Sequence, residues 1–476
     1  MLPALGADTR HVSRAYQAGD TTLPARSAMP TSAIVRTLGL LAFGALPIGA
    51  AVAQSAPDTA DRDAFVAWAA RAAKPLAPLD RPDAAGDAPA LSSLSAFTGR
   101  TRVIALGESV HDAHEFIALR TRLTGQLIRS ARVAAVVMET GLAEARAVDA
   151  WISHETDAAP DFTRALSYGW GRQAETIEAL HRLRDHNARV PAARRVRFYG
   201  MDLPANGGGS LLPALEPVWS FLDAADPRFA AESRAALGPI AARIASQGYG
   251  IVGKYSSLGP ARDSLRRALD TLGARMRLHE RAYVARTSRT RYDWARRLAE
   301  VAAQTEAAVR IGWNDAANPR DVAMAENVEW ILAREGARGL VVIWSHDLHV
   351  ARAPIGGPMF AGRRGAPFVT SMGERLARAL GPGYLPIGTA FRRSARDSAN
   401  VVVDPASVDA ALARVDVPLY LLDLRRAPRG GGVARWLDAT HLARAEGGYV
   451  VTTPGRAYDA MIYVDSIGAS RAEGRE

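Results

Sequence analysis

Four short apolar runs break up the chain, and each ends on an ionisable side chain. Val103–Leu106 leads into Gly107-Glu108, Val133–Met138 into Glu139, Val196–Met201 into Asp202, and Leu340–Trp344 into Ser345-His346. Their length and β-branched content predict buried strands. Apolar residues at helical spacing follow the first run (Phe116, Leu119, Leu123, Leu127) and precede the third (Leu180, Leu183). Alternating strand and helix predict an α/β fold: a mostly parallel central sheet, flanked by helices, whose ligand crevice lies at the carboxyl ends of the strands. The four polar termini are therefore expected to share one cleft.

The same patterning divides the rest of the chain. Asp61–Ala73 carries Phe65, Trp68 and Ala72 on one helical stripe, and residues 75–90 read as a loop, so 54–96 is a linker with an N-terminal helix. Residues 97–205 form the first part of the core. Between 206 and 319 the pattern changes to glycine-rich loops and long Arg/Ala/Glu segments, including Ala261–Arg286 and Tyr292–Ile311. These predict a helical insertion that walls or lids the crevice, or serves as an outer scaffold layer. Strand candidates Tyr384–Phe391, Val417–Leu422 and Ala460–Val464 then complete the sheet within 320–476.

Composition narrows the chemistry. Apolar residues make up 48% and charged residues 23% of 476, an ordinary soluble balance. The net charge of +10 comes almost wholly from arginine, since Lys74 and Lys254 are the only lysines. Those arginines are interspersed with acids and lack a sustained run with stacking aromatics, so no nucleic-acid partner is expected. Cysteine is absent, which excludes disulfides, thiolate metal sites and cysteine nucleophiles.

At the N-terminus, Met29, Arg36 and the apolar run Leu38–Val52 close on Ala51-Val52-Ala53, the order of a secretory signal peptide. Residues 1–28 then read as a mis-assigned start. Cleavage after Ala53 predicts a periplasmic or secreted protein with no stable membrane insertion, because the apolar run is short for a spanning helix.

Gly107-Glu108-Ser109-Val110-His111, followed by His114, Glu115 and Arg120, is the strongest candidate for chemistry. A histidine at a strand-to-helix turn can take a proton from water near neutral pH, and a neighbouring carboxylate, Glu108 or Glu139, fixes its tautomer. A helix starting near His111 would place Glu115 one turn from it. His346-Asp347-Leu348-His349 brings two more histidines to a strand end. No cofactor is required by this pattern, but paired histidines with carboxylates leave a divalent metal open, although there is no His-Glu-x-x-His. Taken singly, each residue also reads as a structural histidine or a helix-capping carboxylate; four coincident strand ends favour a site. A serine triad lacks its Gly-x-Ser-x-Gly elbow. Gly248–Lys254 has phosphate-loop spacing, but Tyr255 stands where a hydroxyl residue should bind magnesium, so it reads as a loop.

These motifs resemble the erythromycin esterase family: Gly107–His111 with Glu115-Phe116 and Arg120; Val137-Met138-Glu139; Trp170, Glu175 and Asn187; Phe198–Asp202; Arg320–Ala325 with Asn327; and Trp344–Val350. The resemblance runs from about residue 97 to 387. It implies hydrolysis of a small-molecule ester or macrolactone by activated water, with His111 as general base and Glu108 and Glu139 as its carboxylate partners. Arg120, His346 and His349 follow as further catalytic groups, and Glu115, Trp170, Asp202 and Arg320 as substrate-binding candidates. One departure stands out: Asp347 occupies a position where the family often has asparagine, and its charge is expected to hold His346 protonated or to attract a cation. Two other readings stay open, a metal- or haem-binding protein of the wider Gly-Glu-x-x-His superfamily and a non-catalytic exported binding protein.

Overall fold

The computed structural model describes residues 59–79, 100–205, 209–245, 255, 257–311, 318–357, 368–395, 403–446 and 448–472. The expected signal segment, residues 80–90 of the expected loop, and Gly248–Lys254 lie outside them. Eight strands form one sheet: β1 (Lys74–Pro75), β2 (Val103–Glu108), β3 (Val133–Gly141), β4 (Arg197–Asp202), β5 (Leu340–His346), β8 (Tyr384–Ser394), β9 (Leu419–Asp423) and β12 (Ala460–Ile467). Their order is β1-β9-β12-β8-β2-β5-β3-β4. Neighbours from β12 to β4 are parallel, and β9 and β1 close one side as antiparallel additions. A second sheet contains β6 (Ile355–Gly356), β7 (Phe368–Val369), β10 (His441–Ala445) and β11 (Gly448–Thr452), in the order β10-β11-β6-β7.

The apolar runs are continuous because both faces of the large sheet are covered. Val103, Ala105, Ala135, Val137, Val341 and Ile343 enter one core, and Ile104, Leu106, Val136, Met138, Val342 and Trp344 enter the other. Successive side chains on a strand point to opposite faces, so a strand buried on both sides has no polar alternation. The second core is closed by Phe116, Leu119, Leu123 and Leu127 of α2 (His114–Ser130), and by Leu180 and Leu183 of α4 (Ala174–Ala188). Between them in the chain lies the short α3 (Ala145–Ile152); α1 (Thr59–Ala72) buries Phe65 and Trp68 in the first core.

Between β4 and β5 the described residues include the helices α5 (Leu212–Ala225), α6 (Pro227–Ala245), α7 (Ala261–Leu278), α8 (Glu280–Arg286), α9 (Arg289–Ile311) and α10 (Pro319–Glu335). Their apolar stripes, with Leu215, Leu269, Leu298 and Val328, share the first core with the sheet. The helical segment Ala261–Arg286 consists of two helices. It breaks at His279, whose ring stacks on Tyr283 at 5.6 Å.

Register aligns the carboxyl ends. Glu108 pairs with His346 across β2 and β5, and Gly141 pairs with Asp202 across β3 and β4. The β3–β4 register shifts between Met138 and Gly141, a bulge that turns Glu139 and Thr140 at the sheet edge. Gly200 makes that bulge possible. A Cβ there would collide with the carbonyl oxygens of Thr140 and Gly141, which are backbone and cannot rotate away. Gly200→Ala should therefore lower unfolding stability by about 1–3 kcal/mol, as overpacking against fixed atoms does, measured by urea denaturation. An unchanged midpoint would show that the bulge relaxes freely.

Candidate active site

The turn from β2 into α2 carries His111. Ala113 is held extended (φ −90°, ψ 121°) by a bridge to Ala469, so the helix begins at His114 rather than at His111. The expected His111–Glu115 stacking is therefore not made. Glu115 instead accepts the Gly468 amide at 2.7 Å, and His114 Nδ1 meets Glu175 at 2.8 Å. The first fastens the helix to the C-terminal segment and the second to α4, both away from His111.

Glu108 is buried and divides its two oxygens. Oε1 accepts His111 Nδ1 at 2.8 Å and Oε2 accepts Arg120 Nη1 at 2.8 Å. Arg120 also donates to Thr176 at 3.3 Å and lies over the Trp344 ring, buried behind Glu108. Burial opposes the Glu108 charge, but Arg120 and His111 outweigh it and hold the carboxyl below its ordinary value. For His111, burial favours the neutral ring. The Glu108 hydrogen bond and the charges of Glu139, Glu108 and Glu446 prevail, raising it to about 9. The imidazole is walled edge-on by Trp170 (5.5 Å between centroids) and His346 (4.9 Å), with 27% of the side chain exposed.

Glu446 reaches this pocket from the tip of the β10–β11 hairpin, at φ +51°. Its amide donates to Ser109 O at 2.9 Å, and its Oε1 accepts the His111 amide at 2.9 Å. The same oxygen lies 3.3 Å from His346 Nε2 and 3.9 Å from His111 Nε2. Burial disfavours the Glu446 carboxylate, but the His346 hydrogen bond and the His111 charge hold it down at about 2. His346 Nδ1 accepts the Leu348 amide at 3.1 Å, which leaves the proton on Nε2, shared between Ser109 O (3.0 Å) and Glu446. With both nitrogens committed, His346 acts here as a donor.

A second cluster adjoins the first. Arg320 Nη2 donates to Glu139 Oε1 at 2.8 Å and to Asp202 Oδ2 at 2.7 Å, while its Nε meets both Asp202 oxygens. Tyr168 donates to Asp202 at 2.8 Å and lies under the Arg320 guanidinium. Glu139 Oε2 accepts Ser345 Oγ and the His346 amide, and Oε1 lies 3.2 Å from His349 Nε2. His349 Nδ1 meets Asp321 at 2.8 Å. Burial works against charge on both sides of this pair. The opposed charges win, holding Glu139 well below the carboxylate range and pushing His349 up to about 10. His349 is thus an imidazolium bridging two carboxylates.

The family model for erythromycin esterase matches residues 130–467. The chain belongs to the erythromycin esterase family. A relative from Escherichia coli, erythromycin esterase type II, is 26% identical over 313 residues, spanning 61% of this chain and 69% of the relative. Among solved structures, a Bacillus cereus protein superposes with a TM-score of 0.71 at 20% identity, over 87% of this chain and 99% of that one. A succinoglycan biosynthesis protein gives 0.70 at 18%, over 86% and 98%. A histidine-to-asparagine variant of the erythromycin esterase EreC, in its open conformation, gives 0.63 at 17%, over 80% and 94%. At these identities the structures establish the fold. The family match begins after α2 is almost complete, so Glu108, His111 and Arg120 rest on the geometry above.

The clusters bring together Glu108, His111, Arg120, Glu139, Asp202, Arg320, His346 and His349, with Trp170 as a buried wall. Glu115 stands apart, as described. Sequence reading missed Glu446, Tyr168, Asp321 and Thr389. Glu446 carries a weak signal, a Glu-Gly pair between two strand-like runs. Each carboxylate of the clusters is engaged by arginine or histidine, and among the described residues no group of three or more acidic or histidine side chains is arranged to hold an ion.

Asp347 corrects an expectation. Its carboxyl accepts the amide of Thr389 at 2.9 Å and meets its hydroxyl at 2.9 Å, and burial raises it to about 8. At neutral pH it is mostly protonated and holds no charge for His346 or a cation. A carboxyl raised in the fold binds a proton that the unfolded chain releases above its ordinary 3.8, so its penalty grows from pH 4 to pH 8. Asp347→Asn removes the penalty. The stability of the variant relative to wild type should therefore climb across that window and level off above it, read by urea unfolding at pH 4, 6, 8 and 9. A difference independent of pH would place the Asp347 carboxyl at an ordinary value.

Proposed function

We propose that the chain hydrolyses an ester of a small molecule, a macrolactone among the candidates, using water activated by His111. The observation that carries this reading is the Glu108–His111 hydrogen bond, backed by Arg120. It commits Nδ1 and directs proton exchange with a substrate water through Nε2. Water attacks the carbonyl carbon as its proton passes to Nε2. Glu108 and Glu446 stabilise the imidazolium that forms. The tetrahedral intermediate then collapses, the ester C–O bond breaks, and Nε2 returns the proton to the leaving alkoxide, giving acid and alcohol.

The oxyanion needs a cation that is not fully consumed. Arg120 is buried behind Glu108 and serves to position it. Arg320 fits better, because its Nη1 engages no carboxylate and its side chain is partly exposed beside His349. The name of the Escherichia coli relative supports ester hydrolysis as the reaction class. The same reading places the mature protein outside the cytoplasm, beginning at Gln54, on the signal-peptide pattern. No helix among the described residues is long and apolar enough to cross a membrane.

His111→Gln should lose activity on an ester substrate by about a hundredfold to ten-thousandfold, the usual contribution of a general base, with folding checked by circular dichroism. His114→Gln should stay close to wild type. Because the base form of His111 is the deprotonated one, kcat/KM of the wild type should rise about tenfold per pH unit through neutrality and level off near 9. A folded, fully active His111→Gln protein, or a plateau already reached at pH 7, would contradict the assignment.

A further inference from the structure

A cavity of about 740 Å³ lies away from the titratable clusters. Arg197, the first residue of β4, lines it, whereas Asp202 at the other end of that strand belongs to the active-site cluster. Its remaining wall comes from α3, α5, α9 and the end of α10. Five arginines face it. Arg197 is neutralised by Asp149 and Glu155, and Arg338 by Glu335. Arg146, Arg291 and Arg334 form no ion pair among the described residues. Arg146 and Arg334 both lie against the ring of Trp294, at 4.8 and 5.2 Å from its centroid.

Gathering like charges around a shared hollow is unfavourable unless something neutralises them, more so where water is partly excluded. Burial together with the charge of Arg334 weakens the hold of Arg146 on its proton, although nearby Asp149 acts the other way. Trp294 holds two guanidinium groups in place, which reduces the ordering cost of a ligand that meets them. Arg146 and Arg291 also belong to the first turns of α3 and α9, whose dipoles add positive potential. Planar guanidinium forks match the oxygens of carboxylates and phosphates. The volume is that of an ordinary small-molecule site.

We propose that this cavity binds a small multivalent anion bearing phosphate or carboxylate groups, at a site separate from the hydrolytic centre. Isothermal titration of the full chain with pyrophosphate and with citrate, at constant ionic strength, tests it and tells the two chemistries apart. At least one probe should bind wild type with Kd below about 1 mM, and the paired change Arg146→Gln with Arg334→Gln should weaken it at least about tenfold. His111→Gln should bind as wild type. If the paired variant fails to fold, Arg291→Gln, on an exposed helix position, should still weaken binding by about threefold or more. No binding of either probe would overturn the proposal. So would undiminished binding by the folded arginine variants, or a loss of binding in folded His111→Gln.

Discussion

The Glu108 carboxylate, buried between Arg120 and His111, is the constraint on which the site depends. A lone carboxylate at that depth would take up a proton, because removing its hydration costs more than the interior returns. Arg120 keeps it ionised from behind. Once ionised, it fixes the His111 tautomer in front, and it does so from the last residue of a strand whose register is set by β5 and β8. Removing one partner from such a buried pair typically costs about 3–5 kcal/mol, since the other is left charged and unsatisfied. The proposed chemistry and the local stability therefore rest on the same contact.

Around it, charge is arranged in alternating fashion. Arg120, Glu108, His111 and Glu446 form one chain, and Asp202, Arg320, Glu139, His349 and Asp321 another. The chains meet where Glu139 accepts the His346 amide. His346 supports both, its ring held between a backbone amide, the Ser109 carbonyl and Glu446. Such networks keep polar groups in a fixed geometry, which favours a site that stabilises charge without reorganising.

Much of this was legible in the chain. Apolar runs buried on both faces of a sheet leave a strong signal, and a parallel arrangement forces their polar ends to one edge. That reasoning placed Glu108, Glu139, Asp202 and His346 at the one sheet edge where the strands bring them. It failed where tertiary contacts decide. The bridge from Ala113 to Ala469 delays α2 by one turn and redirects Glu115, and nothing local to residues 107–120 encodes it. Glu446 lies 335 residues from His111 in the chain and arrives on a hairpin of the second sheet, so spacing could not have paired them. Asp347 was misjudged because charge was assigned from residue type, whereas burial beside Thr389 decides its protonation.

The central claim is that carboxylates on two sides keep His111 charged in the resting site, with its Nδ1 committed to Glu108. Nitrogen-15 NMR of the histidine rings, assigned with the His111→Gln protein and followed from pH 5 to pH 10.5, measures this without any substrate. The account predicts a His111 midpoint near 9, with Nδ1 remaining protonated on the alkaline side and Nε2 the nitrogen that titrates. A midpoint at or below 6.5, or a neutral ring protonated on Nε2, would contradict it.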